Sequence, residues 1–288
     1  MSITERLANM PIWAVLVTIA VLLAIRFVLI KQKTPVAKSI AEIAESLAVA
    51  MGLVFLIIRP FIVQSFFIPS PSMHPTLLEH DHILVNKFIY RFKEPKLGDV
   101  VVFKAPPEAD RDGVERDFIK RVIGVPGDQV RITPGSVTVG NEDYDRSKLR
   151  NELAGPGSEG VVKLTDDGVF VDGKRITDDE VAAAMGRADE KVVVVPGKVY
   201  INGKAIEESY IAEDPDEKYP RDNTPREWLE VDDEDHLVVK IPEGRLLVMG
   251  DNRNNSNDAR YWGLLERDRM LGKAMFIFWP LNRIRWIH

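Results

Sequence analysis

Residues Pro11 to Ile30 form an almost wholly apolar run, broken by one charge, Arg26. A helix of that length reaches about 30 Å, the thickness of a bilayer's hydrocarbon core. The run predicts a membrane-spanning helix over about residues 10–31, with Arg26 near one end, where its head can snorkel to the headgroups. A cleavable leader fits less well. The run is long for one, Glu5 and Arg6 before it give no net positive charge, and no small-x-small site follows promptly.

A second apolar segment follows. Between Glu45 and Arg59 the uncharged stretch is only Ser46 to Ile58, a length that a buried core helix also satisfies. Extended back through Ile40 and Ala41, it predicts a second span over about residues 41–62, stopped or kinked by Pro60. Lys31, Lys33 and Lys38 lie between the two segments, and basic loops stay cytoplasmic. Residues 1–66 then make a two-helix anchor, and residues 67–288 lie on the opposite face of the membrane.

The whole chain of 288 residues is long enough for an anchor and a core that needs no staples. Its net charge of −6 argues against nucleic acid as a partner, since phosphate binding wants a basic face. With no cysteine, disulfides, thiolate catalysis and Cys-based metal sites are excluded.

Beyond Ile68 the pattern is short and β-like. Leu84-Val85-Asn86, Val100 to Phe103, Phe118 to Val125 and Val130-Arg131-Ile132 are β-branched or apolar runs bounded by Gly, Pro and Asp. Val169 to Gly173 and Val199 to Gly203 each join a strand to an Asp-Gly or Asn-Gly turn, a strong hairpin signal. Thr177 to Glu180 reads as a capping box, Val181 to Met185 as a short helix and Gly186 as its stop. The expected fold is mainly β, an antiparallel sheet domain with a smaller β lobe inserted over about residues 133–243. Asp232 to Asp235 lack the alternation of a calcium loop and read as a solvated turn.

Chemistry concentrates in three places. Ser70-Pro71-Ser72 sits between prolines just past the second apolar segment, where a serine has no evident packing purpose. A serine hydroxyl needs a base before it attacks anything. His74, His80 and His82 are near in sequence but without a persuasive setting, as are His236 and His288. Lys120 lies in Asp117 to Gly124, where a period of two puts it on one face with Phe118 and Val122, and Arg121 on the other with Ile119 and Ile123. A lysine on an apolar strand face either snorkels or is desolvated. Desolvation to near neutral pH costs roughly 4 kcal/mol and yields a neutral amine that can serve as a general base. The third place is Gly250 to Gly263, dense in Asn, Asp and Ser between two apolar strands, where side chains can be aimed or merely form an elaborate turn.

Four blocks in order resemble bacterial type I signal peptidase, the membrane-bound Ser-Lys endopeptidase. They are Ile68 to Leu77; Asp81 to Lys87 with Gly98 to Phe103; Asp117 to Asp128; and Gly250 to Arg253 through Asp258, Arg260 and Trp262-Gly263. The resemblance implies Ser72 as nucleophile and Lys120 as general base. It implies an oxyanion site made by the Ser72 N–H and the Ser70 hydroxyl, Ser256 bonded to the base lysine, and Asp258 with Arg260 as an ion pair bracing that loop. The chain departs from the family pattern at Pro71 and His80, where glycine is frequent, and at Asn254 and Ala259, where Asp and Ser are common. The expectation there is altered loop stability rather than lost activity.

The implied protein is a signal-peptide-removing serine endopeptidase of the bacterial cytoplasmic (inner) membrane. It is multi-pass, its catalytic domain is extracytoplasmic, and it works through an acyl-enzyme with no metal or organic cofactor. Its implied partners are membrane lipid and secretory preproteins with Ala-x-Ala sites, taken as an extended strand on a sheet edge. One rival is a self-cleaving repressor, which would carry a DNA-binding domain in place of two apolar segments. The other is a catalytically inactive membrane-tethered β-domain that binds exported chains.

Overall fold

A computed structural model describes residues 11–32, 34–58, 63–109, 116–154 and 160–288. It opens with two helices, α1 (Ile12–Leu29) and α2 (Pro35–Gly52), each part of a helix long and apolar enough to cross a membrane. Helix α2 starts earlier than its apolar pattern suggests. Thr34 caps it by accepting from the Ala37 N–H, and Pro35 opens its first turn, where a missing N–H costs nothing. Lys38 therefore lies inside the helix and not in the loop. A wider π-helical segment, Leu53–Ile58, continues it; Lys33 and Pro60 lie outside the described residues. The buried residues of α2 are Ala37, Ala41, Ala44 and Ala48, a small-residue stripe that lets two helix backbones approach. Arg26 pairs with Glu45 of α2 at 2.8 Å.

The remainder is built of antiparallel strands. Strands β1 (Val63–Phe67), β2 (His82–Asn86), β3 (Val100–Lys104) and β4 (Asp117–Gly124) come first. After a tight turn β5 (Gln129–Thr133) leaves for another sheet. Then come β6 (Ser136–Val139), β7 (Glu142–Tyr144), α3 (Arg146–Leu153), β8 (Val162–Thr165), β9 (Gly168–Val171), β10 (Lys174–Ile176), α4 (Asp178–Ala184) and β11 (Val192–Val195). Strands β12 (Lys198–Ile201), β13 (Lys204–Ala205), β14 (Leu229–Val231) and β15 (Leu237–Lys240) flank β5 in the order β13-β12-β5-β15-β14. The chain closes with β16 (Arg245–Met249), α5 (Ala259–Trp262), β17 (Leu265–Glu266), β18 (Met270–Trp279) and β19 (Arg285–Trp286). These complete the main sheet, β1-β2-β18-β3-β4-β16-β17, with β19 on β18.

Local rules account for many joints. Asp172-Gly173 and Asn202-Gly203 both take positive φ and turn their hairpins, as the type I′ geometry requires. Thr177 and Glu180 form the reciprocal capping box of α4. The acidic run Asp232 to Asp235 makes the turn between β14 and β15.

Two cores result. Val101, Phe103 and Val122 of the main sheet pack against Val130, Ile132, Val199, Ile201 and Val239 of the five-stranded sheet. A separate core gathers Val137, Leu149, Val162, Leu164, Val169 and Val181. The separate packing unit is thus smaller than the stretch 133–243 expected of it, because β12 and β15 return to the main core. On the other face of the main sheet, Ile68, Met73 and Leu77 join Ile83, Val85, Val100, Val102 and Ala274.

Candidate active site

Ser72 lies in a single 3₁₀ turn, Pro71–Met73, just beyond β1. Its neighbours Met73 and Leu77 are fully buried, so the turn is pinned by its apolar side chains. The loop after β16 reaches over it. The Asn252 N–H donates to the Ser72 carbonyl (3.1 Å), and Asn252 Nδ2 donates to the Pro71 carbonyl (3.2 Å). Gly250 permits this approach: a Cβ there would stand 2.4 Å from the Ser72 carbonyl oxygen and 2.3 Å from Ser256 Oγ.

Strand β4 brings Lys120 to the same place. Its Nζ donates to Ser72 Oγ at 2.8 Å and to the Ile119 carbonyl at 3.0 Å. Phe118, on the same face, sets its ring 5.5 Å from the amine. Lys120 is only 4% exposed, so desolvation and not snorkelling is the outcome. The amine is lowered from 10.5 to about 8, chiefly by burial, against the upward pull of Asp258 and Asp251 and with Arg260 adding to the fall. The Ser70 hydroxyl lies 3.4 Å from Ser72 Oγ.

The supporting residues divide. Asp258 and Arg260 form a buried ion pair at 2.8 Å, and Asp258 also accepts the Gly250 N–H at 3.0 Å. Burial alone would raise the Asp258 carboxyl, but Arg260 and these bonds hold it below its ordinary value. Ser256 is brought into the same buried loop, where its hydroxyl lies beside Asp258 and helps hold that carboxyl down. The bond to Lys120 that the resemblance implies is not formed.

One pair central to the site was not assigned a role from the sequence. Arg121 sits 1% exposed on the opposite face of β4, gripping Asp251 with Nε (2.8 Å) and Nη2 (2.7 Å). It also donates to the Gly98 carbonyl at 2.8 Å and stacks on Tyr210 at 4.0 Å. Asp251 is the residue before Asn252, so this pair fixes the loop that holds Ser72. The signal was available: Arg121 shares an apolar strand face with Ile119 and Ile123, and a buried guanidinium demands a carboxylate.

The family described as "Signal peptidase, peptidase S26" matches residues 40–193 and 181–279. A signal peptidase I of Aquifex aeolicus is 35% identical over 241 residues, 83% of this chain and 83% of that protein. The chain belongs to the signal peptidase S26 family. A signal peptidase I of Pseudomonas aeruginosa is 31% identical over 251 residues, 79% of this chain and 69% of that one. A probable signal peptidase I-2 of Synechocystis is 28% identical over 254 residues, 88% and 80% respectively. A solved signal peptidase I from Enterococcus faecalis is 19% identical, covering 63% of this chain and 97% of that one, with a TM-score of 0.28, too low to carry an argument.

As a signal peptidase of this family, the chain is a serine peptidase with two apolar helices ahead of an antiparallel sheet domain. Its departures from the family pattern are absorbed locally. His80 takes the left-handed backbone (φ 70°) that suits glycine, while its N–H bonds the Ile68 carbonyl at 2.9 Å. Asn254 donates to Glu213 and to the Asp214 carbonyl. Ala259 is buried in the main core.

Proposed function

We propose that this signal peptidase removes signal peptides from secretory preproteins at the outer face of a bacterial cytoplasmic membrane, through a Ser72–Lys120 dyad and an acyl-enzyme. One observation carries the reading: a buried amine, lowered to about 8, bonded at 2.8 Å to the hydroxyl of a serine in a pinned turn. Neutral Lys120 Nζ takes the proton from Ser72 Oγ as Oγ bonds to the scissile carbonyl carbon. The oxyanion that forms accepts from the Ser72 N–H and the Ser70 hydroxyl, donors that typically contribute about 3–4 kcal/mol each. As the C–N bond breaks, the Lys120 ammonium gives its proton to the departing amine. Water, deprotonated by the same lysine, then attacks the ester and frees Ser72. No metal or organic cofactor enters these steps.

Asp258 and Arg260 brace the loop, and Ser256 is assigned the support of the amine on the family pattern alone. Substrates with Ala-x-Ala ahead of the cut would lie extended. Strand β4 pairs with β16 only from Arg121 onward, so Asp117 to Lys120 leave an edge for an added strand beside the amine. The two apolar helices, with basic Lys31 between them, fit a multi-pass anchor in lipid with the sheet domain outside.

The test is Ser72→Ala and Lys120→Ala in the full chain in membranes, scored for maturation of an Ala-x-Ala precursor. Loss of processing by both is expected. Full processing by either one removes the mechanism, and binding of precursor without cleavage by the unaltered chain would favour a silent binding domain.

A further inference from the structure

The segment Glu208 to Glu217 ties the small core to the catalytic loop. On one side, Asp214 accepts from Arg146 of α3 through two bonds of 2.8 Å, from the Leu164 N–H of β8 at 2.8 Å and from the Gly197 N–H at 2.6 Å. Glu213 accepts from the Val162 N–H of β8 at 2.8 Å. On the other side, the Ala212 N–H donates to the Asp251 carbonyl at 3.3 Å, and Glu208 binds the fully buried Arg253 at 2.7 Å.

Asn254 stands where the two sides meet. Its Nδ2 donates to Glu213 Oε2 at 2.8 Å and to the Asp214 carbonyl at 3.1 Å, while its Oδ1 accepts the Asp216 N–H at 3.1 Å. Two residues earlier, Asn252 holds the Ser72 carbonyl. A continuous set of bonds therefore runs from β8 through Glu213 and Asn254 to the backbone of Ser72.

We infer that Asn254 is a positioning residue for the Ser72–Lys120 pair, and that the small lobe acts on the reaction through it as a clamp on the catalytic loop. The inference rests on the dyad reading above. The amide is chemically required in this chain. Glu213 is 4% exposed, and its Oε2 is served by Asn254. An aspartate at 254 would set a second carboxylate against Glu213 and the Asp214 carbonyl, three acceptors with no donor among them. The clamp works through the orientation of the loop, so its loss lowers turnover and leaves substrate affinity in place.

The experiment compares Asn254→Asp, Asn254→Asp with Glu213→Gln, and Thr177→Ala in the full chain in detergent micelles. It reads kcat and KM on an Ala-x-Ala precursor together with the melting temperature. Asn254→Asp should lower kcat about tenfold or more with KM within about twofold. Adding Glu213→Gln should restore most of the loss, because the new amide can donate to the new carboxylate while its carbonyl still accepts from Val162. Thr177→Ala removes the cap of α4; it should lower the melting temperature and leave kcat unchanged. Unaltered kcat in Asn254→Asp, no recovery in the double variant, or an equal kcat loss in Thr177→Ala overturns the inference. If Asn254→Asp does not fold, Asn254→Ala replaces it, and wild-type kcat there also overturns the clamp. Activity surviving Ser72→Ala would count against the dyad itself, whereas activity surviving Asn254→Asp counts against the clamp alone.

Discussion

Lys120 and Arg121 are neighbours on one strand, buried alike, and treated in opposite ways. Arg121 meets a carboxylate with two bonds, a carbonyl and an aromatic ring. Lys120 meets a hydroxyl and a carbonyl, with no carboxylate within bonding distance among the described residues. The first face keeps its charge and uses it as a rivet. The second withholds a counter-ion, so the amine yields its proton near pH 8. Burial alone does not make a base; burial without a partner does.

The largest expected effect comes from removing the partner. Asp251→Ala leaves the buried Arg121 without its side-chain carboxylate, with the Gly98 and His288 main-chain oxygens and the Tyr210 ring left to meet its charge, and should cost about 3–5 kcal/mol in denaturant unfolding. A loss below about 1 kcal/mol would erase the contrast between the two faces.

Lys120→Met should act in the opposite direction. Lys120's folded pKa of about 8 lies below its ordinary 10.5, so between these values the unfolded chain holds a proton that the folded chain has released. Stability therefore rises with pH across that window. The penalty of burying the charge is whole below about 8 and gone above 10.5. The variant should be inactive, yet more stable at pH 7 by up to about 3 kcal/mol, and its advantage over the parent should vanish by about pH 11. A less stable variant at pH 7 would mean that the amine is not held against its preference.

Thr76→Val is milder. Thr76 Oγ1 donates to Asp251 Oδ2, and removing this bond should cost about 1–2 kcal/mol while sparing the dyad. Melting temperature and kcat measured on one preparation separate the two. The smallest effect is kinetic. If neutral Lys120 is the active form, kcat/KM should climb with pH and level off above about 8. A profile that falls between pH 7 and 9 would require a protonated amine instead.

Much of the site was readable from alternation alone. A period of two over Asp117 to Gly124 put Lys120 on the Phe118–Val122 face, where the structure has it. The mate of Arg121 was not readable, because Asp251 lies 130 residues away and spacing says nothing about such a contact. Which core each hairpin joins was unreadable for a related reason. Val169 to Gly173 and Val199 to Gly203 carry the same hairpin signal, but a turn reports only its own geometry. It does not reveal that β9 joins the separate core and β12 the main one. Ser256 shows what a motif leaves unsaid: the position matches and the loop is right, but its hydroxyl lies beside Asp258 and not on Lys120.

Because side chains alternate strictly along β4, a slip of one residue against β3 would exchange its two cations. The guanidinium would then face Ser72, permanently charged and useless as a proton acceptor, while the shorter amine met the aspartate without its fork. On the proposed mechanism, a chain that settles in the wrong alignment cannot cut anything, and the strand becomes its own safeguard against a half-folded protease.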